Sequence, residues 1–427
     1  MLARGVYSLI FALALPLILL RILWRSRRAP AYRERLSERF GAGAAVSGRP
    51  LWVHAVSVGE TLAIAPLVER ILAQADPPQV LITTMTPTGA QMVQQRFGSR
   101  VIHRYCPWDL PGFWHLFMRR VTPRACVIVE TELWPNMLAA CKRADIPVLL
   151  ANARLSARSA RGYGRLPFLT RPMLRSLTCV AVQNRVDGDR FIELGLPSSC
   201  LEVTGSIKFD IHPPQSAEQE GLSLRQALGS ERPVLLAAST HRGEEEILIQ
   251  CWRRLSTRWP DLVLMIVPRH PERFSEVRSL LQAEAAGAAI CCRSDGIAPT
   301  METRLYLGDT LGELMTFYAA ADIAFVGGSF SGTGGHNPLE PAALSKAVVM
   351  GPDTFNFDQI TRMLIDAGGL VQVERPEQLD DVVGHWLEYP RERIKTGASG
   401  QSLVAANQGA LDKLEQQVAA LLSNQPR

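Results

Sequence analysis

The sequence predicts an α/β protein with two Rossmann-like domains behind an apolar N-terminal helix. Short apolar runs alternate with helical patterns, which is typical of βαβ units around a parallel sheet. The alternation stops near the middle of the chain, at a stretch around Pro213-Pro214, and then starts again. The chain has 427 residues, of which 47% are hydrophobic, so it can bury more than one core.

The chain begins with an apolar segment, Val6 to Trp24, that is interrupted only by Arg21. A membrane span needs about 20 residues, so this segment is just long enough. No small-residue cleavage site follows it, whereas Arg25, Arg27 and Arg28 do. We therefore predict an uncleaved signal-anchor with the rest of the chain in the cytoplasm. A helix that lies in the membrane interface is the alternative.

The formal net charge of +5 is concentrated at the N-terminus. Residues 1–39 contain eight Arg and two Glu, a balance of +6, which leaves −1 for the remainder. This distribution argues against a nucleic-acid-binding face and favours contact with an anionic membrane surface. The eight cysteines form no C-x-x-C pair, which is typical of reduced thiols in a cytosolic domain.

Strands are predicted wherever a short apolar run is followed by a helical pattern. In the first half they are Leu51–Val56, Val80–Thr84, Ala125–Glu130, Val148–Ala151, Cys179–Gln183 and Leu201–Thr204. In the second half they are Pro233–Ala238, Leu262–Val267, Arg304–Leu307, Ile323–Val326 and Ala347–Met350. The two halves predict a cleft between them in which a ligand binds.

These patterns divide the chain into five segments. Residues 1–40 are predicted as a membrane anchor with a basic juxtamembrane helix, 41–210 as the first domain and 211–225 as a linker. Residues 226–405 are predicted as the second domain and 406–427 as a C-terminal helix. That helix carries an apolar stripe at helical spacing: Leu411, Leu414, Val418 and Leu421.

Several motifs are absent, which narrows the chemistry. The sequence contains no P-loop, no G-x-G-x-x-G after the first strand of either half, no H-E-x-x-H and no G-x-S-x-G. Asp187-Gly188-Asp189 matches the D-x-D pattern of metal-binding glycosyltransferases. It stands at a predicted helix start, where acidic residues favour the helix dipole, so no metal site is predicted.

Charged residues follow three strands of the first half. Glu60 comes directly after a strand and a tight turn, where a carboxylate serves as a general base or complements the helix N-terminus. Glu130 closes an apolar run, with Glu132 in the next turn, and the position favours function over capping. Lys208 stands near the linker, where a cation suits a phosphate or a sugar carboxylate, or is a solvated lysine.

Three segments of the second half favour anion binding. Arg269, in Val267–Arg273, has the planar guanidinium suited to phosphate. The turn from Gly308 to Glu313 leaves free backbone N–H groups before a helix. The Gly-rich segment Gly327–Glu340 lets the backbone approach a ligand closely, with Asn337 and Pro338 as the N-cap and first residue of the next helix. Glu340 can form a capping box or bind ribose hydroxyls.

At these positions the chain closely resembles the 3-deoxy-D-manno-octulosonic acid (Kdo) transferases, inverting GT-B glycosyltransferases of lipopolysaccharide biosynthesis. The motifs that carry the resemblance are HAVSVGET (54–61), TTMTPTGA (83–90), ETELWPN (130–136), ANARLSARS (151–159), GSIKFD (205–210), VPRHPERF (267–274), GDTLGEL (308–314) and, after FVGGS, GGHNPLE (334–340). Together they extend from the anchor almost to the last helix.

The resemblance implies CMP-Kdo as the donor and a lipid A precursor (lipid IVA) as the acceptor, at the cytoplasmic face of the bacterial inner membrane. It implies that Glu60 is the general base and that Glu130 and Lys208 stabilise the transition state. The CMP site implied by the resemblance comprises Pro268, Arg269, Leu311, Gly312, Glu313, Asn337, Pro338, Leu339 and Glu340. No cofactor and no metal are expected, because Arg269 and a helix N-terminus offset the charge of the leaving phosphate.

Two other functions are compatible with parts of the pattern. A nucleotide-sugar epimerase shares the Gly-rich turn and the ribose-binding Glu, but the epimerases lack the anchor at Val6–Leu20. A non-catalytic membrane adaptor that binds nucleotide sugars predicts that Glu60 is replaceable.

Overall fold

The computed structural model describes residues 2–27, 29–285 and 287–423. The chain divides into two compact units, Met1–Asp210 with Gln408–Arg427 and Ile211–Asn407. Each unit contains one seven-stranded sheet, and within the described residues its neighbouring strands pair in parallel. The predicted α/β fold with two Rossmann-like units is confirmed.

The first unit is built on a sheet with the strand order β3-β2-β1-β4-β5-β6-β7. Its strands are β1 (Leu51–His54), β2 (Val80–Thr84), β3 (Ile102–Tyr105), β4 (Ala125–Val129), β5 (Val148–Ala153), β6 (Cys179–Val182) and β7 (Leu201–Val203). Its helices are α1 (Leu2–Arg25), α2 (Val58–Leu72), α3 (Pro87–Phe97), α4 (Pro111–Val121), α5 (Pro135–Arg143), α6 (Ala157–Gly164), α7 (Pro167–Leu174), α8 (Arg185–Glu193) and the last helix of the chain, Ala410–Ser423.

The second unit has the strand order β10-β11-β9-β8-β12-β13-β14. Its strands are β8 (Val234–Thr240), β9 (Val263–Pro268), β10 (Ala289–Cys292), β11 (Thr303–Leu307), β12 (Ile323–Val326), β13 (Ala347–Met350) and β14 (Leu370–Gln372). Its helices are α9 (Gln215–Leu228), α10 (Glu244–Ser256), α11 (Phe274–Glu284), α12 (Leu314–Ala320), α13 (Leu339–Ala343), α14 (Asp358–Asp366), α15 (Gln378–Glu388) and α16 (Pro390–Ala406). The helix Ala410–Ser423 is therefore α17.

Each sheet has an apolar core on both faces, as parallel sheets require. In the first unit, Trp52 and Ile128 point into one core, and Leu51, Val53 and Val127 point into the other. The central strands are buried along their whole length, which explains why they are continuous apolar runs in the sequence.

Helix α17 completes the first unit although it lies at the other end of the chain. Its stripe of Leu411, Leu414, Val418 and Leu421 is buried in the same core as α2. Asp210 fixes its start, because its carboxylate accepts hydrogen bonds from Gly409 N (2.6 Å) and Leu411 N (2.7 Å). Residues 424–427 of the predicted C-terminal helix lie outside the described residues.

Helix α1 is long and apolar enough to cross a membrane, with a mean hydropathy of 2.4 in its best window. A continuous basic juxtamembrane helix does not follow, because Pro30 cannot extend the preceding turn. Two short 3₁₀ helices, Pro30–Arg33 and Leu36–Phe40, occupy that stretch instead. Arg28 lies outside the described residues.

The linker predicted at 211–225 is mostly helical, because α9 begins at Gln215. Pro213 and Pro214 stand just before that helix, where they end the preceding extended segment and do not interrupt a helix. Gly221 of α9 packs closely against α12: a Cβ added at this glycine would stand only 2.4 Å from the Ala319 side chain. Helix α9 is therefore part of the second unit.

Candidate active site

The first sheet reverses its strand order beside β1. β1 pairs with β2 on one side and with β4 on the other. The loops that follow the carboxyl ends of β1 and β4 therefore diverge, one toward β2 and the other toward β5. Ligands of open parallel sheets bind outside the carboxyl ends of the strands at such a point. The structure therefore brings together the segments that carry Glu60 and Glu130, which the sequence analysis selected separately.

Glu60 lies in the first turn of α2 and is 9% exposed. Its carboxylate accepts hydrogen bonds from Val56 N (2.7 Å) and Ser57 Oγ (3.1 Å), and its own N–H donates to Ser57 Oγ (3.2 Å). These contacts form a capping arrangement, so the capping interpretation of Glu60 is correct. A carboxylate has about four acceptor sites, so these two bonds leave room for a ligand hydroxyl.

The environment of Glu60 also suits a base. Burial, together with the negative charges of Glu132 and Glu130, raises the pKa of its carboxyl to about 7, although the two hydrogen bonds from Val56 and Ser57 act in the opposite direction. A general base works best when its pKa lies near the operating pH. Capping and base chemistry are therefore compatible at this residue.

Glu130 follows β4 in a left-handed backbone conformation, with φ at 58°. This conformation is uncommon for a residue other than glycine and tends to occur at functional sites. The Glu130 carboxylate forms an ion pair with Arg154 Nε at 3.0 Å. Glu132 accepts a hydrogen bond from Trp134 Nε1 at 3.0 Å, and burial raises its pKa.

Lys208 lies in a short 3₁₀ helix, Ile207–Phe209, after β7. Burial lowers the pKa of its ammonium group, while the charge of Glu130 raises it and that of Arg154 lowers it. Glu130, Arg154 and Lys208 therefore interact electrostatically as one cluster with two cations and one anion. The sequence analysis selected Glu130 and Lys208 but not Arg154, which follows β5 and shares the strand-end position of the others.

A group of arginines follows Arg154 in the sequence. The sequence analysis missed this group because it summed the charge over all residues after 39, where acidic residues elsewhere cancel it. Residues 154–175 contain six Arg and no acidic residue, although the chain after residue 39 sums to −1. Arg158, Arg161 and Arg165 are exposed along α6 and at its end. None of the three forms an ion pair within the described part of the chain. The first unit thus offers cationic side chains to an anionic ligand.

The second sheet reverses its strand order beside β8, which pairs with β9 and β12. Three histidines collect at that edge, one from each following segment. His241 Nε2 lies 2.8 Å from His336 Nε2, and the ring of His270 stands 5.3 Å from that of His241. Burial lowers the pKa of His336 to about 4 and also lowers the pKa of His241, so both rings are neutral at pH 7.

His241 and His336 were not selected from the sequence. A neutral imidazole carries one N–H donor and one acceptor nitrogen, so in this pair one ring donates to the other. Each lies directly after a strand or in a Gly-rich loop, a signal that the sequence analysis used for carboxylates but not for histidines.

The Gly-rich segment Gly327–Glu340 is organised by a buried carboxylate. Glu244, at the start of α10, accepts hydrogen bonds from Gly328 N (2.8 Å), Ser329 N (3.0 Å) and Phe330 N (2.9 Å), and from His241 N (2.8 Å). These three N–H groups of the loop therefore bind Glu244 and are not available to a ligand. Gly327 and Gly334 allow close packing: an added Cβ would stand 2.4 Å from Ser239 O at Gly327 and 2.4 Å from the Phe355 ring at Gly334.

Two arginines of the segment after β9 have different environments. Arg273 forms an ion pair with the fully buried Glu245 at 2.6 Å, which makes it a structural residue. Arg269 is exposed and forms no ion pair with any residue that the structure describes. Its charge lowers the pKa values of Glu340 and His336, so its guanidinium lies near both. Pro268 ends β9 just before it.

Asn337 and Pro338 differ from the predicted N-cap and first helical residue. Helix α13 begins at Leu339, with Pro338 as its N-cap. Asn337 Oδ1 accepts a hydrogen bond from Leu339 N at 3.2 Å, and its Nδ2 donates to Glu340 Oε1 at 3.3 Å. Asn337 and Glu340 therefore contact each other through their side chains, which differs from the backbone hydrogen bond of a capping box. Burial raises the pKa of Glu340.

The turn Leu311–Glu313 follows β11 at the same edge of the sheet. Leu311 is 71% exposed, and Gly312 has a φ of 84° that favours glycine. Glu313 lies at the N-cap position before Leu314 and not in the first helical turn, and its carboxylate forms an ion pair with Arg293 at 2.6 Å. The side chain of Glu313 is therefore engaged, and the exposed backbone of Leu311 and Gly312 remains.

The D-x-D pattern occupies the helix start that the sequence analysis predicted. Asp187 lies in the first turn of α8 and forms an ion pair with Arg190, and Asp189 pairs with Arg185. The part of the chain that the structure describes holds no group of three or more His, Cys, Asp or Glu side chains arranged to bind a metal ion.

Comparisons with known proteins agree with the sequence motifs. A profile of the family described as 3-Deoxy-D-manno-octulosonic-acid transferase (kdotransferase) matches residues 34–211. The 3-deoxy-D-manno-octulosonic acid transferase of Haemophilus influenzae is 41% identical over 417 residues, 96% of this chain and 97% of the relative. That of Bordetella pertussis is 38% identical over 430 residues, 96% of this chain and 99% of the relative.

Among solved structures, a UDP-GlcNAc 2-epimerase of Neisseria meningitidis covers 88% of this chain and 100% of its own. The TM-score is 0.53 and the sequence identity 14%. This likeness concerns the fold alone.

Proposed function

Because this chain belongs to the 3-deoxy-D-manno-octulosonic acid (Kdo) transferases, glycosyltransferases of lipopolysaccharide biosynthesis, we propose that it transfers Kdo from CMP-Kdo to lipid IVA with inversion. The membership rests on the two long alignments and the family profile. The donor nucleotide, the acceptor and the stereochemistry are the parts that we propose.

The observation that carries the proposal is the group of carboxylates at the strand-order reversal of the first sheet. Glu60 has a pKa of about 7 there, which suits removal of a proton from a sugar hydroxyl. In the proposed reaction the hydroxyl proton of the acceptor moves to the Glu60 carboxylate. The hydroxyl oxygen forms a bond to the anomeric carbon of Kdo while the bond from that carbon to the CMP phosphate oxygen breaks. A single displacement of this kind inverts the anomeric centre.

The charge cluster beside Glu60 suits the donor sugar. Kdo carries a carboxylate, and Arg154 and Lys208 are the two cations that interact with Glu130. We assign to Lys208 and Arg154 the binding of that carboxylate and to Glu130 the orientation of both cations. Preorganised charges of this kind stabilise a transition state because they need no reorganisation during the reaction.

The CMP site is assigned to the edge of the second sheet. Arg269 has no ion partner among the described residues, so its guanidinium is available to the phosphate, whose second negative charge develops as CMP leaves. Pro268, the backbone at Leu311 and Gly312, and the stretch Asn337, Pro338, Leu339 and Glu340 complete the proposed site, with Glu340 toward the ribose hydroxyls. Glu313 is included in the proposed site as the last residue of this turn. Its carboxylate is paired with Arg293 and is not assigned a contact with CMP. We propose that the reaction needs no metal and no cofactor.

The N-terminal helix supports a location at the inner membrane, with both units on the cytoplasmic side. Tyr7 and Ile18 of α1 line a cavity formed with α5 and α7 of the first unit, and these residues stand about 16 Å apart along the helix. The opposite face exposes Leu13, Leu17 and Leu20. We therefore favour the interfacial placement of α1, with one face on the protein and the other on the acyl chains, over a perpendicular span.

The test of this function is a product assay with a matched pair of variants. The purified protein is incubated with CMP-Kdo and tetra-acylated lipid A precursor, and the products are weighed by mass spectrometry. We expect the mass increment of Kdo from the wild type and from Glu69→Gln, a half-buried carboxylate on the same helix that is paired with Arg100. Glu60→Gln should lose turnover by about 10²–10⁴-fold and keep its affinity for CMP. No increment from the wild type, or normal transfer by Glu60→Gln, contradicts the proposal.

A further inference from the structure

The first unit contains an apolar cavity of about 650 Å³ between α1 and the rest of the unit. One wall is the inner face of α1, with Tyr7, Phe11 and Ile18. The other wall includes Trp108, Trp134 and Tyr163. The volume falls in the range of about 300–1,000 Å³ that small-molecule sites occupy.

Polar contacts hold α1 in the position that creates the cavity. Ser8 Oγ accepts a hydrogen bond from Asn136 Nδ2 at 3.0 Å, and the Tyr7 hydroxyl forms a hydrogen bond with the carboxylate of Asp109. Asp109 is itself buried and accepts from Trp114 Nε1 (2.7 Å) and Met137 N (2.9 Å). Since buried polar groups require partners, these bonds fix the register of α1 on the unit.

The cavity reaches the surface beside apolar side chains that are largely exposed. Leu166 lines the cavity and is 60% exposed, and its neighbour Phe168 is 85% exposed. The outer face of α1 adds Leu13 and Leu17 to this apolar surface. A membrane that covers this surface would bring hydrocarbon chains to the mouth of the cavity.

One wall of the cavity is linked to the candidate general base through hydrogen bonds. Trp134, which lines the cavity, donates a hydrogen bond to Glu132, and the charge of Glu132 acts on Glu60. Met85, another lining residue, donates its N–H to Val56 O, and Val56 N donates to Glu60. Two residues of the cavity wall, Trp134 and Met85, are therefore one hydrogen-bonded residue away from Glu60.

We propose that this cavity binds one acyl chain of the acceptor lipid and so positions the acceptor hydroxyl at Glu60. The inference rests on the proposed function, in which the acceptor is an acylated sugar. A chain of the acceptor fits better than a chain of bulk membrane lipid, because the wall at Trp134 and Met85 is hydrogen-bonded to neighbours of Glu60 and only the acceptor carries a sugar hydroxyl that reacts there.

The test uses acceptors that differ only in acyl length, in a constant excess of detergent, with two cavity-filling variants. Gly162 lines the cavity on α6, and an added Cβ there meets no atom within 4 Å, so Gly162→Leu adds apolar volume at the cavity wall and its Cβ has room. Ser159→Leu, from the same helix face, is the second filler. Gly112→Leu on α4 is the control, because it gains the same helix propensity in open space outside the cavity lining.

For the wild type and Gly112→Leu we expect kcat/KM to fall by up to roughly tenfold for each two methylenes removed from the acceptor chains. In both fillers kcat/KM should depend less on acyl length, and kcat/KM for the full-length acceptor should fall at least roughly tenfold. The KM for CMP-Kdo and the thermal midpoint should stay unchanged in both fillers.

An unchanged length dependence in the fillers, or an equal loss on all acceptors, overturns the cavity assignment while the transferase function stands. In another outcome, added phospholipid activates the wild type, the fillers abolish this activation, and the rate does not depend on acceptor length. That result would assign the cavity to membrane lipid and would also overturn the proposal that it binds the acceptor. A wild type that transfers Kdo to no acceptor refutes the proposed function itself, and the cavity assignment with it.

Discussion

The pKa of about 7 at Glu60 predicts the pH profile of the reaction. If this carboxylate is the base, roughly nine-tenths of the molecules are active at about pH 8 and roughly one-tenth at about pH 6, so the rate of the chemical step falls about tenfold between them. An ordinary glutamate with a pKa near 4.5 would show no change in this interval. Single-turnover transfer from CMP-Kdo, measured across the interval with saturating acceptor, distinguishes the two.

The same shift has a consequence for stability whose sign is opposite to that of an ion-paired carboxylate. The folded pKa of about 7 exceeds the ordinary value of 4.5, so ionising Glu60 disfavours the folded state progressively between these two pH values. At about 1.36 kcal/mol per pKa unit, the penalty above pH 7 is at most about 3 kcal/mol. Gln keeps the cap but cannot ionise, so Glu60→Gln should unfold at a higher temperature than the wild type at pH 8 and at the same temperature near pH 4.

Two controls separate base chemistry from other causes. Glu69→Gln should keep the wild-type pH profile, because the hydrogen bond from Arg100 lowers the pKa of the Glu69 carboxyl, which is therefore ionised throughout this interval. CMP affinity, measured by calorimetry at both pH values, should not follow the profile of transfer. A transfer rate that is flat from pH 6 to 8, or a profile that persists in Glu60→Gln, refutes the assignment of Glu60.

Three further perturbations test the second unit and the closure of the first. In Glu244→Gln an amide NH₂ group, which donates, replaces a carboxylate oxygen that accepts hydrogen bonds from two backbone N–H groups. We therefore expect the free energy of unfolding to fall by about 2–3 kcal/mol and CMP to bind more weakly. The control Glu246→Gln changes an exposed carboxylate of the same helix and should match the wild type in both measurements. His336→Ala should raise the KM for CMP-Kdo about tenfold without lowering the thermal midpoint, and His385→Ala, far along α15, should not; equal values in both variants exclude His336 from the donor site. Asp210→Ala should cost about 1–2 kcal/mol and speed hydrogen exchange in α17 before other helices, and uniform exchange would show that the cap is not what holds α17.

The strands that the sequence failed to predict are β3, β10 and β14. All three are edge strands, and β3 contains His103 and Arg104. A central parallel strand is covered on both faces and is therefore a continuous apolar run, which is the signal that found Ala125–Val129 and Ile323–Val326. An edge strand is less enclosed, so its sequence resembles that of a loop.

The candidate site was predictable where a residue acts through its own position on a strand. Glu60 and Glu130 follow strands, and the rule that ligands bind at the carboxyl ends of parallel strands is enough to place both at one edge. Glu244 was not predictable, since an acidic residue at a helix start is common, and its partners in the Gly-rich loop are more than 80 residues away. Arg269 and Arg273 stand in one short motif, and only the buried partner Glu245 distinguishes the structural arginine from the available one.

The position of α17 determines when the first unit can finish folding. Its core includes Leu411, Leu414 and Val418, which the ribosome makes only after the whole second unit. Domains usually fold in order as they are synthesised, but here the first unit must wait with the apolar face of α2 uncovered. The newly made chain is thus an incomplete enzyme until its last helix emerges, and a premature stop between the second unit and α17 would leave that face open to aggregation.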